Sequence, residues 1–133
     1  MRRLDGDVDA AACRAVWADA VDSAWREAPV WFHGDVAPGN LLVRRGRLSA
    51  VIDFGTCGVG DPACDLVMAW TYFDGPERQV FREAAGLPAD AWRRARGWAL
   101  WKALATMAGL SSPDPEGFQR GVLGRVIEDP VAV

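Results

Sequence analysis

Apolar positions in the first part of the chain recur at helical spacing and then change period. Cys13, Val16, Trp17, Ala20, Val21 and Ala24 fall three and four residues apart, which predicts an amphipathic helix over 10–27, capped by Asp9 and ended before Pro29. Trp17 is expected in the core. Val30 to Phe32 is a short extended run. HGDVAPGN, residues 33–40, carries Gly34, Pro38 and Gly39 and reads as a loop. Leu41 to Val43 and Leu48 to Phe54 are strands of a hairpin turned at Arg45 and Gly46. That turn sets Asn40 opposite Val51 and puts Asn40 and Asp53 on one face at one end of the hairpin; a one-residue bulge would change the face but not the end.

After Asp53 the run GTCGVGDP, with three glycines and a proline, predicts a loop. Pro62 suits the first turn of a helix capped by Asp61, with Leu66, Val67, Trp70 and Thr71 down one side. A shorter helix is expected over 76–86, ended by Gly86. The long helix is 89–109, polar at Arg93, Arg94 and Arg96 and apolar all round from Trp98, which predicts a central position with Trp92, Trp98 and Trp101 in the core. A last helix, 116–128, is weakened by Gly121 and Gly124 and closed by Asp129 and Pro130. The order is one helix, a loop-and-hairpin centre, then four helices: an α+β class, mainly helical. No second βαβ unit occurs, so a doubly wound sheet is not expected.

Composition narrows the function classes. The chain has 133 residues, half hydrophobic and a quarter charged, which is the balance of one ordinary globular domain over 1–133. Net charge is −3, and the arginine clusters at 44–47 and 93–96 are short, so no nucleic-acid partner is expected. Cys13, Cys57 and Cys64 are odd in number without CxxC spacing, and His33 is the sole histidine; no zinc site assembles from them, and a reduced, cytoplasmic setting follows. Cys57 and Cys64 read as small packing residues. The segment MRRLDGDVDAAAC lacks the apolar run of a signal peptide. Gly97 to Leu110 is too short to span a bilayer, so no membrane partner is expected. Asp5, Asp7 and Asp9 alternate as in a calcium loop, but Ala10 and Val16 stand where that loop needs Gly and Glu.

The chemistry concentrates between His33 and Asp65, where Asp35, Asn40, Asp53, Asp61 and Asp65 sit between short apolar runs. An Asp, an Asn five residues on, and an Asp opening a DFG triplet after a strand is what kinase-type phosphoryl transfer demands. A hydroxyl nucleophile needs a carboxylate to orient it and accept its proton, and Asp35 is placed for that. A nucleoside triphosphate needs Mg²⁺, which prefers a few hard oxygens, here Asn40 and Asp53.

HGDVAPGN at 33–40, VIDFG at 51–55 and GDPACDL at 60–66 resemble the aminoglycoside phosphotransferase family, small-molecule kinases with a protein-kinase-like fold. The resemblance implies Asp35 as catalytic aspartate, Asn40 and Asp53 as Mg²⁺ ligands, and His33 as a structural member of the catalytic loop. It implies Asp61 and Asp65 as the acidic pair that braces the loops, with Asp65 bonded to catalytic-loop amides. Mg²⁺ and ATP, or GTP, are the implied cofactors, and a small-molecule hydroxyl, such as that of an aminoglycoside antibiotic, the acceptor. Gly34 stands where protein kinases have the Arg of their HRD triplet, which points to the small-molecule branch. Such kinases place a nucleotide-gripping lobe with a strand lysine before this loop. Only 32 residues precede His33, none is Lys, and Lys102 lies downstream on the long helix. The chain is therefore expected to be the carboxy-terminal lobe, inactive alone, with self-association through the surface left by the absent lobe. The alternatives are a non-catalytic kinase-like module and the lobe of a choline, homoserine or sugar kinase.

Overall fold

The computed structural model describes residue 6 and residues 8–129. Asp5 and Asp7 of the calcium-loop pattern, and Pro130, lie outside them. The fold is α+β and about half helical, with two small antiparallel sheets.

Helix α1 is Ala10–Val21, opened by Asp9, whose Oδ1 accepts from the Ala12 amide at 2.9 Å. It is shorter than the periodicity predicts. Ser23 takes over the chain at its end, its hydroxyl donating to the Ala20 carbonyl at 3.1 Å, and Trp25 bonds Ala28 O through its ring N–H. Strand β1, Val30–Phe32, leads into the 33–40 loop, which closes on a 3₁₀ turn, Pro38–Asn40. Strands β2, Leu41–Arg44, and β3, Arg47–Val51, form the hairpin, with Arg45 at φ 52° and Gly46 at φ 75° in its two-residue turn.

The register departs from the expected one. Arg44 faces Arg47 and Val43 faces Leu48, but Leu42 faces Ala50 and Leu41 faces Val51. Ser49 is thus an extra residue on β3, and its hydroxyl donates to Leu42 O at 3.0 Å. Leu41, not Asn40, stands opposite Val51, and Asn40 O instead accepts from Ile52 N at 2.9 Å. Asn40 and Asp53 therefore share an end of the hairpin but not the face that the unbulged register predicts.

The glycine-rich run after Asp53 is not wholly loop. Gly58–Gly60 forms β4, antiparallel to β1, with Trp31 facing Val59. Glycines at 58 and 60 hid this strand from a propensity reading, and it forms because β1 offers a partner edge. A 3₁₀ helix, Pro62–Leu66, then passes into α2, Met68–Thr71. Helix α3, Gly75–Ala85, ends on Gly86 in the left-handed region, α4 is Ala89–Met107, and α5, Phe118–Glu128, runs through both of its glycines.

Helix α4 is central, packing on α1, α5 and the 62–66 helix. Ala91, Ala95, Ala99 and Ala103, one turn apart and fully buried, give it a narrow side that neighbours approach closely. At Gly97 a Cβ would sit 2.5 Å from the Ala20 Cβ, so the α1–α4 crossing depends on that glycine. Trp70 and Trp92 are buried and meet edge to face at 6.4 Å. Trp17, Trp98 and Trp101 are not core as expected: they are 49%, 46% and 53% exposed. Side chains as small as Ala20 and Gly97 bring the backbones of α1 and α4 together and leave the indoles on the outside of the crossing. No helix among the described residues is long and apolar enough to cross a membrane.

Candidate functional site

Three backbone segments converge at the end of the hairpin: the 33–40 loop, Ile52 to Thr56 after β3, and the 62–66 helix. Polar side chains tie each to the next. Asp65 accepts from the amides of His33 and Gly34 at 2.6 and 2.7 Å, one on each carboxylate oxygen, a short charge-assisted pair. Gly34 has φ 88°, and a Cβ there would run into the Thr56 carbonyl, so the segment admits only glycine where the two loops touch. That is a local reason for glycine in place of the arginine of protein kinases. Thr56 Oγ1 closes the same junction on His33 O at 3.2 Å.

His33 is buried and bonded through both ring nitrogens. The Asp35 amide donates to Nδ1 at 3.1 Å, so Nδ1 carries the lone pair and the proton sits on Nε2, which donates to Ile52 O at 2.8 Å. Phe54 covers the ring at 4.6 Å. His33 thus links the loop to the residue just before Asp53, while Asn40 O holds the amide of the same Ile52.

Asn40 turns its amide nitrogen toward Asp35, donating to the main-chain oxygen at 2.8 Å and to the carboxylate at 3.2 Å. Its side-chain oxygen has no hydrogen-bond partner among the described residues. Asp53 sits at φ 63°, a region that costs a non-glycine residue about 1–2 kcal/mol. Its carboxylate is exposed and likewise without a partner among the described residues. Among those residues no group of three or more His, Cys, Asp or Glu could hold a metal. A site of one amide oxygen and one carboxylate suits Mg²⁺, which keeps several waters and fills its octahedron with phosphate oxygens. The donor set therefore fits that ion and no all-protein cage.

Asp61 caps the 62–66 helix, accepting from Ala63 N at 3.1 Å, and takes Arg94 from α4 at 2.6 and 3.3 Å. Arg94 continues to Ser23 Oγ at 3.1 Å, so Asp61 also joins the site to the helical side. Cys57 is exposed, against the packing role expected of it. Cys64 is half-buried; burial first, then the neighbouring Asp65 and Asp61 charges, push its thiol up to about 11.

Sequence reasoning missed Lys102. It does not stay within the buried face of α4: its Nζ lies 3.6 Å from Asp35 Oδ1. The available signal was chemical, since the one lysine of the chain stands alone in an apolar run and a cation there needs a partner. Trp98 and Trp101 flank it, and with Asp35, Asp61 and Thr56 opposite they line a cavity of about 680 Å³.

The sequence matches the model of the Phosphotransferase enzyme family over residues 1–98. The chain belongs to that family, whose members are phosphoryl-transferring kinases. No curated protein and no solved structure matches it.

Proposed function

We propose that this chain carries the base and metal half of a small-molecule kinase site. The observation that carries the reading is the Asn40 amide: its nitrogen is held by Asp35, which leaves its oxygen, at the same end of the hairpin as the unengaged Asp53, for a cation. Asp35 would orient an acceptor hydroxyl and take its proton as the hydroxyl oxygen bonds to the γ-phosphorus and the bond to the β,γ-bridging oxygen of ATP breaks. Mg²⁺ held by Asn40 and Asp53 supplies charge neutralisation on the transferred group. Asp65, His33 and Thr56 position these groups, and Asp65 and His33 touch neither substrate. The single lysine faces Asp35, so a strand lysine of the kind that grips α- and β-phosphates is not among these 133 residues. Nucleotide affinity of this chain alone is accordingly expected to be weak, and a cytoplasmic setting suits an ATP-dependent reaction.

Mn²⁺ as a paramagnetic substitute tests the metal assignment without turnover. Added to the 133-residue chain, it should broaden the NMR signals of the Asn40 side-chain amide and the Phe54 backbone amide. Asp53→Asn should remove most of that broadening. Broadening centred elsewhere, or unchanged in Asp53→Asn, would sink the reading.

A further inference from the structure

Taking Asp35 as the proton acceptor, an inference that therefore rests on the reading above, we infer that the cavity beside it receives a neutral hydroxyl compound with an apolar ring face, and that Lys102 turns polycations away. The cavity, about 680 Å³, has the size of a site for a ring compound. Its walls differ in character. The loop wall carries Asp35 and Asp61; the α4 wall carries Trp98, Trp101 and Lys102.

Neither carboxylate is uncommitted. Asp61 is gripped through both oxygens by Arg94, at 2.6 and 3.3 Å, and caps Ala63 as well. Asp35 has Lys102 at 3.6 Å on one oxygen and the Asn40 amide at 3.2 Å on the other. A polyamine needs several carboxylates free to pair with its ammonium groups, and an ammonium brought next to the acceptor hydroxyl would meet that of Lys102. A neutral compound meets no such obstacle.

The indoles supply what such a compound would use. Trp98 and Trp101 meet edge to face, 5.8 Å apart and at 86°, and each leaves about half of its surface to solvent. Two apolar walls at a right angle receive the face of an aryl or sugar ring, and Ser111 and Ser112 at the rim offer hydroxyls to its polar edge. Their exposure is thus the counterpart of their absence from the core.

Titration of the 133-residue chain with phenyl β-glucoside, its 4-aminomethyl analogue and kanamycin, followed by the indole N–H signals, tests this. Trp98→Phe and Trp101→Phe assign the two signals and, both positions being half exposed, leave the core intact. The neutral glucoside should move those two signals, and the aminomethyl analogue should bind roughly tenfold more weakly. Lys102→Glu should reverse the order. The inference is overturned if either cationic probe binds wild type as tightly as the neutral one, if other indoles respond instead, or if no probe has an effect at millimolar concentration. Mg²⁺ and nucleotide are absent from the titration, so its outcome is separate from the Mn²⁺ result. Lost selectivity with intact Asp53-dependent broadening overturns the pocket assignment alone; selective binding without that broadening overturns the kinase reading alone.

Discussion

The helical body and the strand-and-loop end of this molecule are held by different forces. Around α4, Cys13 and Val16 of α1, Ala69 and Trp70 of α2 and Val122, Leu123 and Val126 of α5 are buried, and the charged groups there close the edges: Arg96 caps the end of α5 on Val126 O and Ile127 O at 2.7 and 2.9 Å, and burial lowers its pKa. At the other end Trp31, Leu48, Val59 and Phe54 are exposed, Trp31 by 78%, and each sheet has two strands among the described residues. Two-stranded sheets have little stability of their own. What fixes that end is the set of directed bonds from Asp65, His33, Thr56 and Asn40. Burial sets the shape of one region, and polar geometry sets the other.

The largest effect should come from the core. Trp70 is fully buried, donates its ring N–H to Asp129 at 2.7 Å and lies under the Arg82 guanidinium at 5.7 Å. Trp70→Ala should cost about 3–5 kcal/mol in denaturant unfolding. It should shift the site and the body together, because the 62–66 helix that carries Asp65 runs into α2. A loss below about 1 kcal/mol would break the claim that burial governs this region.

Asp65→Ala is the matching experiment on the other side. It strands the amides of His33 and Gly34, each bonded to a charge, at a cost of about 2–3 kcal/mol. The effect should be local. Hydrogen exchange at His33 and Gly34 should quicken while the amides of α4 keep their protection, and Asp65→Asn should recover part of the slow exchange, since one oxygen still accepts. Equal loss of protection along α4 would show that the loop network also holds the body.

The same division explains what was legible in the sequence. Helices α3, α4 and α5 lie within a few residues of their predicted places because periodicity, Pro and Gly mark them, and the family assignment was carried by three short motifs in order. Strand β4 was hidden, since its existence depends on β1 and not on its own residues. The hairpin bulge was hidden for a similar reason: Ser49 has no composition cue, and the choice is made by cross-strand pairing. The Trp98 and Trp101 positions were misread because helical spacing tells which residues share a face, not how many faces have neighbours. Lys102 beside Asp35 required a contact over 67 residues of chain, which no local pattern encodes.

The smallest effect separates backbone strain from chemistry at Asp53. Its φ of 63° belongs to the left-handed region, where Ala is penalised by about 1 kcal/mol or more and Gly is not. Elsewhere in a protein Ala is usually the better residue, because Gly loses more chain entropy on folding, about 0.5–1 kcal/mol. At this position the two terms oppose each other, and with an exposed side chain little else is lost. Asp53→Gly should therefore be as stable as wild type or slightly more so, and Asp53→Ala roughly 0.5–1 kcal/mol less stable than Asp53→Gly in denaturant unfolding, the left-handed penalty less the entropy cost of glycine. Both should lose Asp53-dependent Mn²⁺ broadening equally, since both lack the carboxylate. If Ala proves the more stable, the turn relaxes without cost and the conformation of Asp53 stores nothing. If the order holds while metal contact is lost in both, the site keeps an acid in a position that the backbone alone would give to glycine, and the carboxylate is the reason it is there.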